Sequence, residues 1–128
     1  MRDIKFRAWC TWIAEENEVP YNIMVKFSLL DIYTIEDLSV DAEIMQYTGL
    51  KDKNGVEIYE GDIIEIKELI GDKRKYKCIV EYNSLKVRYE AREIRKDMTY
   101  VHEFYVLNCM SEIKVIGNIY DNPLLVQL

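Results

Sequence analysis

Lys75-Tyr76-Lys77-Cys78-Ile79-Val80-Glu81-Tyr82, then Asn83-Ser84, then Leu85-Lys86-Val87-Arg88-Tyr89-Glu90-Ala91-Arg92: this stretch decides the fold class. Tyr76, Cys78, Val80 and Tyr82 alternate with Lys75, Lys77 and Glu81, and period two is the spacing of a strand with one buried face. After Asn83-Ser84 the alternation resumes, with Leu85, Val87, Tyr89 and Ala91 inside and Lys86, Arg88, Glu90 and Arg92 outside. The pair reads as a hairpin of Lys75–Tyr82 and Leu85–Ala91. Upstream, Glu60-Gly61-Asp62 introduces Ile63-Ile64-Glu65-Ile66. Asp62 with Glu65 resembles a helix capping box, and Gly71 could end a helix. Four isoleucines (63, 64, 66 and 70) in so short a stretch favour strand instead, because β-branched side chains are stiff at χ1. The expectation is three consecutive antiparallel strands, Asp62–Ile70, Lys75–Tyr82 and Leu85–Ala91, with Gly71-Asp72 turning the first into the second.

Working outward, Ile4, Phe6 and Ala8 alternate with Lys5 and Arg7 as a first strand. Glu15 to Pro20 marks a turn, and Tyr21, Ile23, Val25, Phe27 and Leu29 share one face of a second strand. Asp31 to Ala42 is either a loop or a short helix capped by Thr34 with Asp37 three residues on. Ile44–Thr48 reads as a strand, and Asn54-Gly55 as a tight turn with positive φ at both positions. A break at Arg95–Thr99 precedes a strand through Phe104 and Val106. The last strand covers Ile113, Val115, Gly117 and Ile119 and stops at Asp121-Asn122-Pro123. The class is mainly β with short antiparallel strands, a β-rich α+β fold being the alternative, closed or sandwiched so that edges are covered.

The 128 residues suit one domain, and 49% apolar with 31% charged residues, five Gly and two Pro exclude a disordered or collagen-like chain. No apolar run is long enough to span a bilayer, and Met1–Arg7 carries no apolar core of a signal peptide. The net charge of −6 argues against a general polyanion binder. Between Lys67 and Lys96, however, ten Lys/Arg stand against five acids, a local +5 that leaves −11 for the rest. Three widely spaced cysteines (Cys10, Cys78 and Cys109) and one histidine, His102, supply no C-x-x-C pair and almost no zinc ligands. An odd count of thiols fits a reducing compartment. Cys78, on the apolar alternation, is expected in the core.

Met45-Gln46-Tyr47-Thr48-Gly49-Leu50-Lys51-Asp52-Lys53-Asn54-Gly55, with Glu57-Ile58-Tyr59-Glu60-Gly61-Asp62-Ile63-Ile64, resembles the YopX family of bacterial phage and prophage proteins. Met1-Arg2-Asp3-Ile4-Lys5-Phe6-Arg7-Ala8-Trp9 is similar to that family's start, and Ile116-Gly117-Asn118-Ile119-Tyr120-Asp121-Asn122-Pro123-Leu124-Leu125 to its end. The chain departs after Trp9, where similar proteins carry an acid and this one has Cys10. The resemblance implies a small β-rich protein with an SH3-like barrel in its C-terminal part, hence a single domain over 1–128 in which 1–45 can form a subdomain packed on a barrel of 46–128. It supplies no catalytic residues, no cofactor and no metal. Tyr47, Gly49, Leu50, Asn54, Gly55, Ile58, Tyr59, Gly61 and Asp62 are read as a structural motif, unless their surface docks a partner.

Three functions compete. An enzyme is disfavoured, since His102 has no nearby nucleophile in sequence and no phosphate loop or nucleophile elbow is present. A nucleic-acid binder would use the basic hairpin 73–96 through Lys73, Lys75, Lys77, Lys86 and Arg88, with Tyr76, Tyr82 and Tyr89 as stacking platforms. Those tyrosines fall on the apolar alternation, and the lysines are expected to interleave with Glu81, Glu90 and Glu93. The favoured expectation is a non-catalytic, cytoplasmic protein-interaction module, without membrane contact, that binds itself or a phage or host protein.

Overall fold

A computed structural model describes residues 3–12, 21–28 and 42–127. The turn at Glu15–Pro20, Leu29 and the Thr34–Asp37 cap lie outside them. The chain is mostly β, arranged as two antiparallel sheets. The first contains β1 (Lys5–Trp12), β2 (Tyr21–Ser28), β3 (Ala42–Lys51) and β4 (Glu57–Tyr59), in the order β2-β1-β3-β4. The second contains β5 (Asp62–Glu68), β6 (Lys75–Asn83), β7 (Arg88–Glu93), β8 (Val101–Glu103) and β9 (Ser111–Asn118), in the order β8-β7-β6-β5-β9. It curls into a half-barrel. Among the described residues its outer strands β8 and β9 do not pair, and a short helix α1 (Phe104–Met110) connects them.

The core lies inside the curl. Ile64 and Ile66 of β5, Cys78 and Val80 of β6, Ala91 of β7 and Ile113 of β9 are buried together, as period two requires. Phe104 and Leu107 of α1 join them, and Ile58 of β4 with Leu50 of β3 reaches in from the first sheet. Ile63 is also buried, facing the other way, although Glu65 and Lys67 farther along that face are half-buried and exposed. That explains the adjacent Ile63 and Ile64, and the ladders to β6 and β9 settle the strand reading over the helical one. The strand is shorter than expected: it ends at Glu68, leaving Leu69 and Ile70 exposed in the turn.

Three other expectations are corrected. Leu85 and Val87 are not inside a strand but in a turn, Leu85 being 95% exposed and Val87 adopting a φ of 53°. The cause is Asn83, whose side-chain oxygen accepts the N–H groups of Leu85 and Lys86 at 3.0 and 3.1 Å. This local bond competes with ladder pairing and starts the turn early. Tyr89 and Ala91 keep their expected face, because the register still sets Tyr82 opposite Tyr89. Phe104 and Val106 are helical rather than extended: burying Phe104 with Leu107, three residues on, satisfies a helix and leaves Val106 half exposed. Finally, Arg7 is not on a solvent face; it is 6% exposed.

Among the described residues no helix is long and apolar enough to cross a membrane.

Candidate functional site

The stretch Tyr47–Asp62 forms a seam between the two sheets. β4 ends at Tyr59 and β5 begins at Asp62, so Glu60-Gly61 carries the chain from one sheet to the other. Asp62 accepts the Tyr59 N–H at 2.8 Å and pairs with Arg7 at 2.7 Å. Arg7 also donates to the Glu60 carbonyl at 3.0 Å and lies 4.8 Å from the Tyr59 ring centroid. Burial drives the Asp62 carboxyl above its ordinary value, even with the Arg7 guanidinium pulling it down. Burial, helped by Glu57, pushes the Tyr59 phenol up to about 12. Tyr47 packs 5.5 Å from Tyr59, ring to ring, and Lys5 closes the outer side on Glu57 at 2.6 Å.

Gly61 has a φ of 82°, and a Cβ there would stand 3.0 Å from the Met45 sulfur. Its N–H donates to Val80 and its carbonyl accepts from Ile119, so it joins β6 to the chain's last segment. Trp9 stacks on Tyr120 at 5.6 Å. The beginning, middle and end of the chain therefore meet at one place.

At the motif's tip the turn differs from expectation, because only Gly55 has positive φ (81°) while Asn54 does not. The turn is organised by Asp52, whose carboxylate accepts from Asn54, Val56 and Val115 at 2.8, 2.9 and 2.9 Å. Burial raises that carboxyl, but the three N–H groups outweigh burial and hold it below the usual range. Gly49 and Leu50 lie where the β3–β4 register shifts, between Tyr47 and Lys51.

The basic hairpin is dispersed. Lys73 and Lys86 lie in turns at opposite ends of the nine-residue β6, roughly 30 Å apart along a strand of that length. Lys75 pairs with Glu65 at 3.2 Å, and Lys77 stands opposite the same Glu65 in the ladder. Arg88 binds Glu90 at 3.0 Å and Glu103 at 3.3 Å, while Arg92 binds Glu81 at 2.9 Å. Tyr76 and Tyr89 pack against the core, and only Tyr82 stands open at the hairpin's end.

A different site opens at one end of the half-barrel: a cleft of about 480 Å³ between β8, α1 and the turn from β5 to β6. Its rim carries Ile70, 68% exposed, with Val106 and Met110 about half exposed. On its floor His102 lies between two tyrosine rings, 5.3 Å from Tyr76 and 5.2 Å from Tyr100. Its Nε2 is 2.9 Å from Glu93, which also takes two bonds from Arg74 at 3.0 and 3.3 Å. Arg74 in turn lies 4.2 Å from the Tyr76 ring centroid. Burial raises the Glu93 carboxyl, but His102 and Arg74 more than reverse that and hold it below the ordinary glutamate value. Cys78, opposite Glu93 in the ladder, is buried with its thiol pushed up to about 12. Sequence reasoning missed this cluster. The available signal was Glu93 continuing the inner alternation of Tyr89 and Ala91, a carboxylate where a hydrophobe belongs.

No curated protein matches the chain. A solved structure, the crystal structure of protein EF1440 from Enterococcus faecalis, is similar at 25% identity, covering 97% of this chain and 98% of that one with a TM-score of 0.52. The family described as YopX protein matches residues 5–127, which takes in all three segments that meet around Gly61. The chain belongs to the YopX family.

Proposed function

We propose that this protein is a non-catalytic interaction module, a prophage accessory protein working in the host cytoplasm, that docks a segment of a phage or host protein in the cleft beside α1. The observation that carries this reading is the apolar rim of Ile70, Val106 and Met110 around a cleft whose polar floor is already paired. Apolar side chains at the mouth of a concave site are the usual anchor points of a protein interface. The pairing of His102 with Glu93 and the inert state of Cys78 favour a packing role for that cluster over nucleophilic chemistry. The alternation of charge along the outer sheet face favours the same reading over phosphate binding.

The test is selection of a random dodecapeptide display library on the immobilised protein. Peptides should enrich, and binding should fall about tenfold or more with Ile70→Asp or Met110→Asp, both surface changes that spare the core. Failure to enrich, or peptides indifferent to both substitutions, would overturn the reading. Salt-sensitive binding of a single-stranded oligonucleotide, lost with Lys75→Glu and Lys77→Glu, would replace it with the nucleic-acid function.

A further inference from the structure

The charges around the cleft are not balanced. Two chains of ion pairs end at its wall. In one, Arg74 is committed to Glu93, a 5% exposed carboxylate at 3.0 Å, and to the face of Tyr76, while Glu68 stands farther off at 3.7 Å. In the other, Arg88 holds the buried Glu90 at 3.0 Å, and the more exposed Glu103 takes only its second guanidinium nitrogen at 3.3 Å. Each arginine thus serves an inner carboxylate first and leaves an outer one partly uncompensated. Both outer carboxylates, Glu68 and Glu103, line the cleft, and among the described residues no lysine or arginine lines it with them. His102, the other titratable base in the wall, is tied to Glu93 and does not offset them.

The same cleft is lined by Ile70, Val106, Leu107 and Met110. The cleft therefore offers an apolar seat with two carboxylates in its lining. Complementarity of potential selects partners and steers their approach more than it adds affinity.

Resting on the docking reading above, we infer that the partner segment is cationic: an apolar side chain seated in the cleft, flanked by lysine or arginine that reaches Glu68 and Glu103. Both carboxylates are partly exposed, the Glu68 side chain by 30% and that of Glu103 by 44%. With Glu68→Gln, Arg74 keeps Glu93; with Glu103→Gln, Arg88 keeps Glu90. The double variant therefore changes the cleft's charge while each arginine keeps its inner carboxylate.

The experiment runs the dodecapeptide selection in parallel on the wild type, on Glu68→Gln/Glu103→Gln and on Ile70→Asp, then titrates fluorescent copies of the enriched peptides at low and high salt. The wild type should enrich peptides with a Leu, Met or Phe anchor among an excess of Lys and Arg. Their affinity should fall about fivefold in the double glutamine variant, with much of the salt dependence lost as well. Peptides that are neutral or acidic, lost with Ile70→Asp yet indifferent to the glutamine changes, would overturn the cationic partner and leave the docking site standing. Peptides indifferent to Ile70→Asp would overturn both.

Discussion

Replacing Arg7 with methionine should be one of the most damaging single changes in the molecule, and its damage should depend on pH. Arg7 and Asp62 have side chains 7% and 2% exposed and meet at 2.7 Å. Removing one member of a buried pair leaves the other charge in a medium that cannot solvate it, at a cost of about 3–5 kcal/mol. That is a large share of the roughly 5–15 kcal/mol that holds an ordinary domain together. The stranded group is Asp62, and burial already raises its carboxyl with Arg7 present. Without Arg7 the rise must be larger. A carboxyl raised in the folded state is no liability below its unfolded value of about 3.9, and the loss grows with pH up to the folded value, at about 1.4 kcal/mol per unit. Urea denaturation of wild type and variant at pH 5 and pH 7 should show the deficit about 1–3 kcal/mol larger at the higher pH. Arg7→Lys, which keeps the charge but not the planar fork, should fall between the two. A deficit under about 1 kcal/mol, or one equal at both pH values, would refute the claim that this pair is buried and coupled.

Two glycines should respond differently to the same change. Gly55→Asn should be nearly neutral in thermal melts, since asparagine tolerates positive φ and nothing lies within 4 Å of the added Cβ. Gly61→Asn should cost well over about 1 kcal/mol because it must also displace Met45; equal melting temperatures for the two variants would contradict this. Of the three thiols, Cys109 is exposed while Cys10 and Cys78 are fully buried with raised thiols. A neutral-pH thiol titration of the native protein should therefore count one fast-reacting group, and three after denaturation. Two fast groups would place a buried cysteine wrongly.

Much of the fold was legible because Tyr76, Cys78 and Val80 of β6 and Tyr89 and Ala91 of β7 turn one face to the core, so alternation reports register, although Glu90, expected outside, is 4% exposed under Arg88 and Asn83. β5 was harder. Its first three residues, Asp62, Ile63 and Ile64, are buried in succession, so alternation is lost there, and only its short length and β-branched content spoke for strand. α1 was misread because Phe104, Val106 and Leu107 satisfy both periods over so short a span, and the core alone chooses between them. The cleft was invisible for a different reason. It is made by residues far apart in sequence, Ile70 from a turn and Val106 and Met110 from a helix. Arg7 shows the limit of polarity as a guide, since a charged residue reads as exposed until its buried partner is known.

The seam around Gly61 also bears on the order in which the chain assembles. Most pairings of the curled sheet join neighbours in sequence, β5 with β6, β6 with β7 and β7 with β8. They close over short turns, and such local contacts form early. Trp9 and Tyr120 stand near opposite ends of the chain, so their stacking has to wait until the segments between them have found their places. A refolding protein should pass through a stage in which the curled sheet exists while β1 still searches for Asp62 and Tyr120. In a Trp12→Phe background, Trp9 fluorescence should lag the far-ultraviolet signal of the strands, and coincident traces would mean both sheets form together. Until β1 docks, the Asp62 carboxyl stays within reach of water, and the ion pair closes only when the last strand seats.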